Sequence, residues 1–153
     1  MTYNAKPITI LLADDDEDDC MLTKTALNEC RLANQVDITQ DGEQLMDYLN
    51  RRGKYGQLAE APLPGLILLD LNMPRKSGRE ALQEIRADPK LRHIPVVVLT
   101  TSKAEEDILR TYKLGVNSFI VKPVTFESLV EIVKTLMKYW FEIVELPTNV
   151  MAH

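Results

Sequence analysis

Five short apolar runs punctuate the chain, and the stretches between them carry apolar residues at helical spacing. The runs are Ile8 to Ala13, Gln35 to Thr39 (the weakest), Leu66 to Leu71, Val96 to Thr100 and Phe119 to Val121. Leu66 to Leu69 and Val96 to Leu99 are apolar at every position rather than at alternate ones. That continuity belongs to parallel strands buried on both faces. Helix starts stand between the runs. Asp41 with Gln44, Ser77 with Glu80 and Ser102 with Glu105 each have the spacing of a capping box. The first helix is expected over about Glu17 to Arg31, with Leu22, Ala26 and Cys30 on one face. The last begins near Thr125 and turns Leu129, Ile132, Val133, Leu136 and Met137 toward the sheet. Strand and helix alternate five times. With right-handed crossovers this predicts a doubly wound α/β sandwich. One connection is long: Gly53 to Pro64 holds two glycines and two prolines and reads as a surface loop.

Composition changes this picture little. A chain of 153 residues suits one domain and buries a normal core without staples. The net charge of −5 argues against nucleic acid as the main partner. Met1 to Pro7 lacks the apolar core of a signal peptide, and no apolar run approaches membrane-spanning length. A cytoplasmic location is therefore expected, with no membrane partner. Cys20 and Cys30 stand ten residues apart, which fits neither a metal clip nor a CxxC redox motif. They are read as reduced, partly buried thiols. His93 and His153 have no triad partners in view.

In an open α/β sheet, ligands bind beyond the carboxyl ends of the strands. The first run ends at Ala13 and passes into Asp14, Asp15 and Asp16. The third ends at Asp70, the fourth at Thr100 with Thr101 and Ser102 behind it, and the fifth at Lys122 before Pro123. Carboxylates, a hydroxyl and an ammonium therefore converge on one edge. Clustered carboxylates repel, so the site calls for a cation, and an all-oxygen shallow site suits Mg²⁺. A carboxylate beside such an ion is a competent nucleophile toward phosphorus. Lys122 and Thr100 are placed to neutralise and hydrogen-bond phosphoryl oxygens. Glu17, Asp18 and Asp19 continue the acidic run but read as a solvated helix start favoured by the helix dipole.

These residues resemble the receiver domain of bacterial response regulators. The match comprises Asp14-Asp15 after the first strand, Asp70 in LILLDLNMP, Gly78 after the following loop, Thr100 in VVVLTT, and Lys122-Pro123 in FIVKP. It covers roughly Lys6 to Met137. The resemblance implies a flavodoxin-like (βα)5 sandwich whose five-stranded parallel sheet has the order 2-1-3-4-5. It implies a receiver domain over 6–138 and a C-terminal extension over 139–153. Asp70 would be the phosphoacceptor. Asp15 and Asp70 would bind Mg²⁺, with the backbone carbonyl of Asn72 contributing and Asp14 acting mostly through water. Thr100 would move toward the phosphoryl group on activation and Phe119 would turn inward with it. The Lys122–Pro123 peptide would be cis.

A narrower resemblance lies in the long loop with GKYGQL, in RHIPVVVLTTS and in YWFEIVELP, which are similar to cyanobacterial phytochrome-associated response regulators. It implies a phytochrome-type, light-regulated sensor histidine kinase as phosphodonor and a homodimer built with the C-terminal extension. Tyr139, Trp140, Phe141, Ile143, Val144 and Leu146 make that extension densely apolar, as an interface is.

Two other classes compete. A phosphatase of the haloacid-dehalogenase type also uses an aspartyl phosphate, but needs a second Asp two positions on, where this chain has Asn72, and its nucleophile lies on the first strand. A flavin or nucleotide binder needs a Gly- or Ser/Thr-rich phosphate loop after the first strand, where this chain has six acids. The expectation is a phosphorylated signalling protein rather than an enzyme. Phosphorylation would remodel the face of the fourth helix, fifth strand and fifth helix, and the output would be a contact with another protein or onward phosphotransfer.

Overall fold

The apolar runs form one parallel sheet with the order β2-β1-β3-β4-β5. The computed structural model describes residues 8–29, 33–71, 73–100, 113, 118–121 and 126–138. The strands are β1 (Ile8–Ala13), β2 (Ala33–Thr39), β3 (Leu66–Leu69), β4 (Val96–Thr100) and β5 (Ser118–Val121). The helices are α1 (Glu17–Glu29), α2 (Gly42–Leu49), α3 (Gly78–Ala87) and the C-terminal α4 (Phe126–Lys138). The expected sheet order is thus found, with strand and helix alternating from β1 through β4 among the described residues. The helix expected after β4, with Ser102 and Glu105, lies outside the described residues, as does the extension over 139–153.

Side chains alternate between the faces of a strand. Leu11 and Ala13 of β1, Ile67 and Leu69 of β3, and Val96 of β4 therefore share a face. There they meet Leu45, Met46 and Leu49 of α2 and Ala81, Leu82 and Ile85 of α3 in one cluster. Ile10, Leu12, Leu66 and Leu68 turn the other way and are equally buried. On that side α1 and α4 pack against each other. All four residues of β3 are buried, as its unbroken apolar run requires.

Two of the three expected capping boxes fall on described residues. Ser77 Oγ accepts the Glu80 amide at 3.2 Å and the Glu80 carboxylate accepts the Ser77 amide at 3.4 Å, completing the box. Asp41 accepts the Gln44 amide at 2.7 Å, but the Gln44 side chain accepts from the amide of Gln40 rather than of Asp41. In α1 the buried residues are Cys20, Thr23, Ala26 and Leu27; of the expected Leu22, Ala26 and Cys30, Ala26 is buried as expected. Leu22 is only half-buried and Cys30 lies outside the described residues. Thr23 and Cys20 take the covered side of the helix instead, while Met21 faces solvent at 65% exposure.

The long connection lies on the surface as expected, but part of it is regular. Gly53–Leu58 forms a 3₁₀ turn, and Tyr55, Leu58 and Leu63 pack against the core. Arg51, in the left-handed region at φ 55°, donates to the carbonyls of Tyr48, Ala61 and Pro62 and lies 5.0 Å from the Tyr48 ring. The Tyr48 hydroxyl donates to Asp37 Oδ2 at 2.5 Å, tying α2 to the edge strand.

Truncating Leu82 to Ala is expected to cost about 2–5 kcal/mol, against about 1 kcal/mol for Ser77→Ala, measured by urea denaturation. Burial, then the hydrogen bond and charge of Asp37, raise the Tyr48 phenol well above the ordinary tyrosine range. The folded state therefore holds this proton more tightly than the unfolded chain does. The stability it contributes is complete below roughly pH 10 and is lost as pH rises beyond it. Tyr48→Phe is expected to flatten the alkaline limb of a plot of denaturation midpoint against pH.

Candidate functional site

The chain order reverses between β1 and β3, so the crevice at their carboxyl ends is the topological switch point of the sheet. Ala13 pairs with Leu69 in register, which brings the next residues, Asp14 and Asp70, abreast. The strands' hydrogen bonds continue one step further on each side. The Asp70 amide donates to Ala13 O at 2.9 Å and the Asp14 amide to Thr39 O at 3.0 Å.

Asp14 is held by its own neighbours. Its Oδ1 accepts the Asp16 amide at 3.0 Å, and its carbonyl accepts the Cys20 thiol at 3.3 Å. The carboxylate of Asp16 then accepts the amides of Asp18 and Asp19 at 2.9 and 3.1 Å, capping α1. This division of labour within the acidic run was not assigned from sequence. The signal was present, because an Asp followed by acids in the first turn marks a helix start. Glu17 and Asp18 are exposed and Asp19 half-buried, in keeping with a solvated first turn.

Gly78 closes the loop behind Asp70. Its amide donates to Leu71 O at 3.0 Å. A Cβ there would lie 2.3 Å from Asp70 O and 2.7 Å from Leu71 Cα, so only glycine admits this approach.

Oxygens of Asp14, Asp15 and Asp70 all come within 4.8 Å of one another. Asp14 is 1% exposed and Asp70 7%, while Asp15 is exposed. The cluster therefore has a buried floor and an open side. Two full charges at such a range repel by about 3 kcal/mol at an effective dielectric near 20. A divalent cation relieves that repulsion, and an all-carboxylate donor set fits a hard ion of the Mg²⁺, Mn²⁺ or Ca²⁺ kind. The remaining predicted site groups are not seen here. Thr100 ends β4 and Phe119 lies in β5, but their side chains, together with Asn72 and the Lys122–Pro123 peptide, are outside the described part of the structure. Among the described residues no helix is long and apolar enough to cross a membrane.

Residues 10–134 match the family described as the response regulator receiver domain. The response regulator Rcp1 of Synechocystis is 40% identical over 141 residues, covering 92% of this chain and 94% of that protein. The phosphorylated cyanobacterial phytochrome response regulator RcpA superposes with a TM-score of 0.86 at 42% identity, over 93% of this chain and 99% of that one. The Mn²⁺-bound form of Rcp1 superposes with a TM-score of 0.84 at 40% identity, over 92% and 99% of the two chains.

Adding Mg²⁺ or Mn²⁺ is expected to raise the thermal midpoint, by about 2.7 kcal/mol of added stability at one hundred times the dissociation constant. Asp70→Asn and Asp15→Asn should each lose most of this shift. The same variants should be at least as stable as the parent without the ion, since each removes a repelling charge.

Proposed function

This chain belongs to the response regulator receiver domain family, and on that premise we propose that Asp70 is its phosphoacceptor and a sensor histidine kinase of the phytochrome type its phosphodonor. The observation that carries the reading is the meeting of Asp14, Asp15 and Asp70 at the switch point of the sheet. An oxygen of Asp70 attacks the phosphorus of a phosphohistidine, the new P–O bond forms as the P–N bond breaks, and the imidazole leaves on the donor. Asp14, Asp15, Asp70 and the carbonyl of Asn72 would hold Mg²⁺, which supplies neutralising charge to the transferring group. Asp14 serves from the buried floor, oriented by the Asp16 amide. Lys122 pairs with the phosphoryl oxygens, and Thr100 hydrogen-bonds them as Phe119 turns inward.

The phytochrome link is supported by similarity to the phytochrome response regulator RcpA over nearly its whole length. Signalling then proceeds through changed protein contacts, with the apolar stretch Tyr139 to Leu146 as the contact between two copies of the chain.

Incubation with Mg²⁺ and a small acyl phosphate is expected to add the mass of one phosphoryl group, and Asp70→Asn to abolish the gain. Uptake by Asp70→Asn would refute the assignment. Transfer from a phytochrome-type kinase should change with red and far-red light, and should outpace transfer from an unrelated sensor kinase.

A further inference from the structure

Beyond the carboxylates, the segment Met73 to Ser77 that leads into α3 is gripped from outside by the start of α2. The Gly42 amide donates to Lys76 O at 2.9 Å. A Cβ on Gly42 would lie 2.0 Å from that oxygen and 2.6 Å from the Lys76 carbonyl carbon. Both are backbone atoms, so the contact is not relieved by swinging a side chain aside. The loop or the helix would have to move. Beside this bond, Arg75 takes a left-handed backbone at φ 67° and sets a guanidinium nitrogen 3.9 Å from Asp41 Oδ2. Asp41 is itself buried and caps α2.

Backbone hydrogen bonds make this grip part of a closed circuit. From Asp14 the circuit runs to Thr39 at the end of β2, through Gln40 and Asp41 to Gly42, and across to Lys76. It returns by way of Gly78 and Leu71 to Asp70, whose amide donates to Ala13, the residue before Asp14. The carboxylates of Asp14 and Asp70 sit on this ring. Leu45, Met46 and Leu49 root α2 in the core, so the helix is the firm side of the clasp and the loop the side that yields.

We infer that Gly42 is a positioning residue for the Asp70 loop, and that the Gly42–Lys76 clasp and divalent-ion binding are energetically coupled. The inference rests on the reading of Asp14, Asp15 and Asp70 as the ion site. Coupling of this kind is reciprocal: what weakens the clasp weakens ion binding, and ion binding tightens the clasp by the same factor. A role in stability alone would not do this.

Calorimetric titration with Mg²⁺ tests it. Gly42→Ala is expected to bind about tenfold more weakly than the parent, the scale seen when groups behind metal ligands are disturbed. Tyr48→Phe, at the far end of the same helix, should bind as the parent does. A folded Gly42→Ala chain with parental affinity overturns the inference. Amide exchange in the unmodified chain gives a second reading that no folding defect can obscure. Saturating Mg²⁺ should slow exchange at the Gly42 amide severalfold more than at the amides of the second turn of α2. Equal or absent slowing there overturns the coupling and leaves the functional reading intact. A parent chain that binds no divalent ion refutes that reading, and the inference with it.

Discussion

The register between β1 and β3 is the constraint on which the rest of the structure depends. Ala13 opposite Leu69 places Asp14 opposite Asp70. A slip of one residue would send every apolar side chain of β3 to the wrong face, and Asp70 with them. Both faces of these strands are buried and apolar, so what disfavours the slip is the misfit of side-chain shapes on each face and the displaced charge of Asp70. Hydrophobic packing thus sets the distance between two carboxylates that would otherwise avoid each other. The core on the α2–α3 face, from Leu11 and Ile67 to Leu82 and Ile85, belongs to the site as much as to the fold.

The site is built from opposing demands. Asp14 is almost fully buried, where an isolated charge is costly. The amide of Asp16 and the backbone of Thr39 hold its residue in place, and the neighbouring Asp15 stays in solvent. A cluster half in water and half buried at the strand ends has the oxygen donors that suit a hard cation and keeps one side open. The same compromise appears at Tyr48. There a buried phenol is satisfied by Asp37 below and a guanidinium above, and the pair fastens the long connection to α2.

Close backbone approaches complete the arrangement. Gly78 lets α3 begin against Asp70, and Gly42 lets α2 begin against Lys76. Gly78 was legible in the chain because it stands at a fixed step after the Asp70 loop. Gly42 was not singled out, because a glycine next to a capping Asp looks like an ordinary helix start. Its partner, Lys76, is more than thirty residues away, and no local pattern records that contact. In α1 the burial of Ala26 was legible, but that of Cys20 and Thr23 in place of Leu22 was not. Leu22 is only half-buried, and residue hydrophobicity alone does not report which positions the packing will cover.

By itself the sequence determined the class of fold and the chemistry at the strand ends. Unbroken runs such as LILL can only be satisfied by burial on both faces, and chain alternation then leaves few topologies. Acids, a hydroxyl and a lysine at successive run ends followed from reading those runs correctly. Tertiary structure alone decided which acid does what. Asp16 became a helix cap, Asp14 a buried floor of the acidic cluster and Asp15 its exposed edge because the entry of α1 fixes where each side chain points. It also decided that the Asp70 loop is clasped by α2, since a hydrogen bond between Gly42 and Lys76 exists only once two helices have packed on the same face of the sheet.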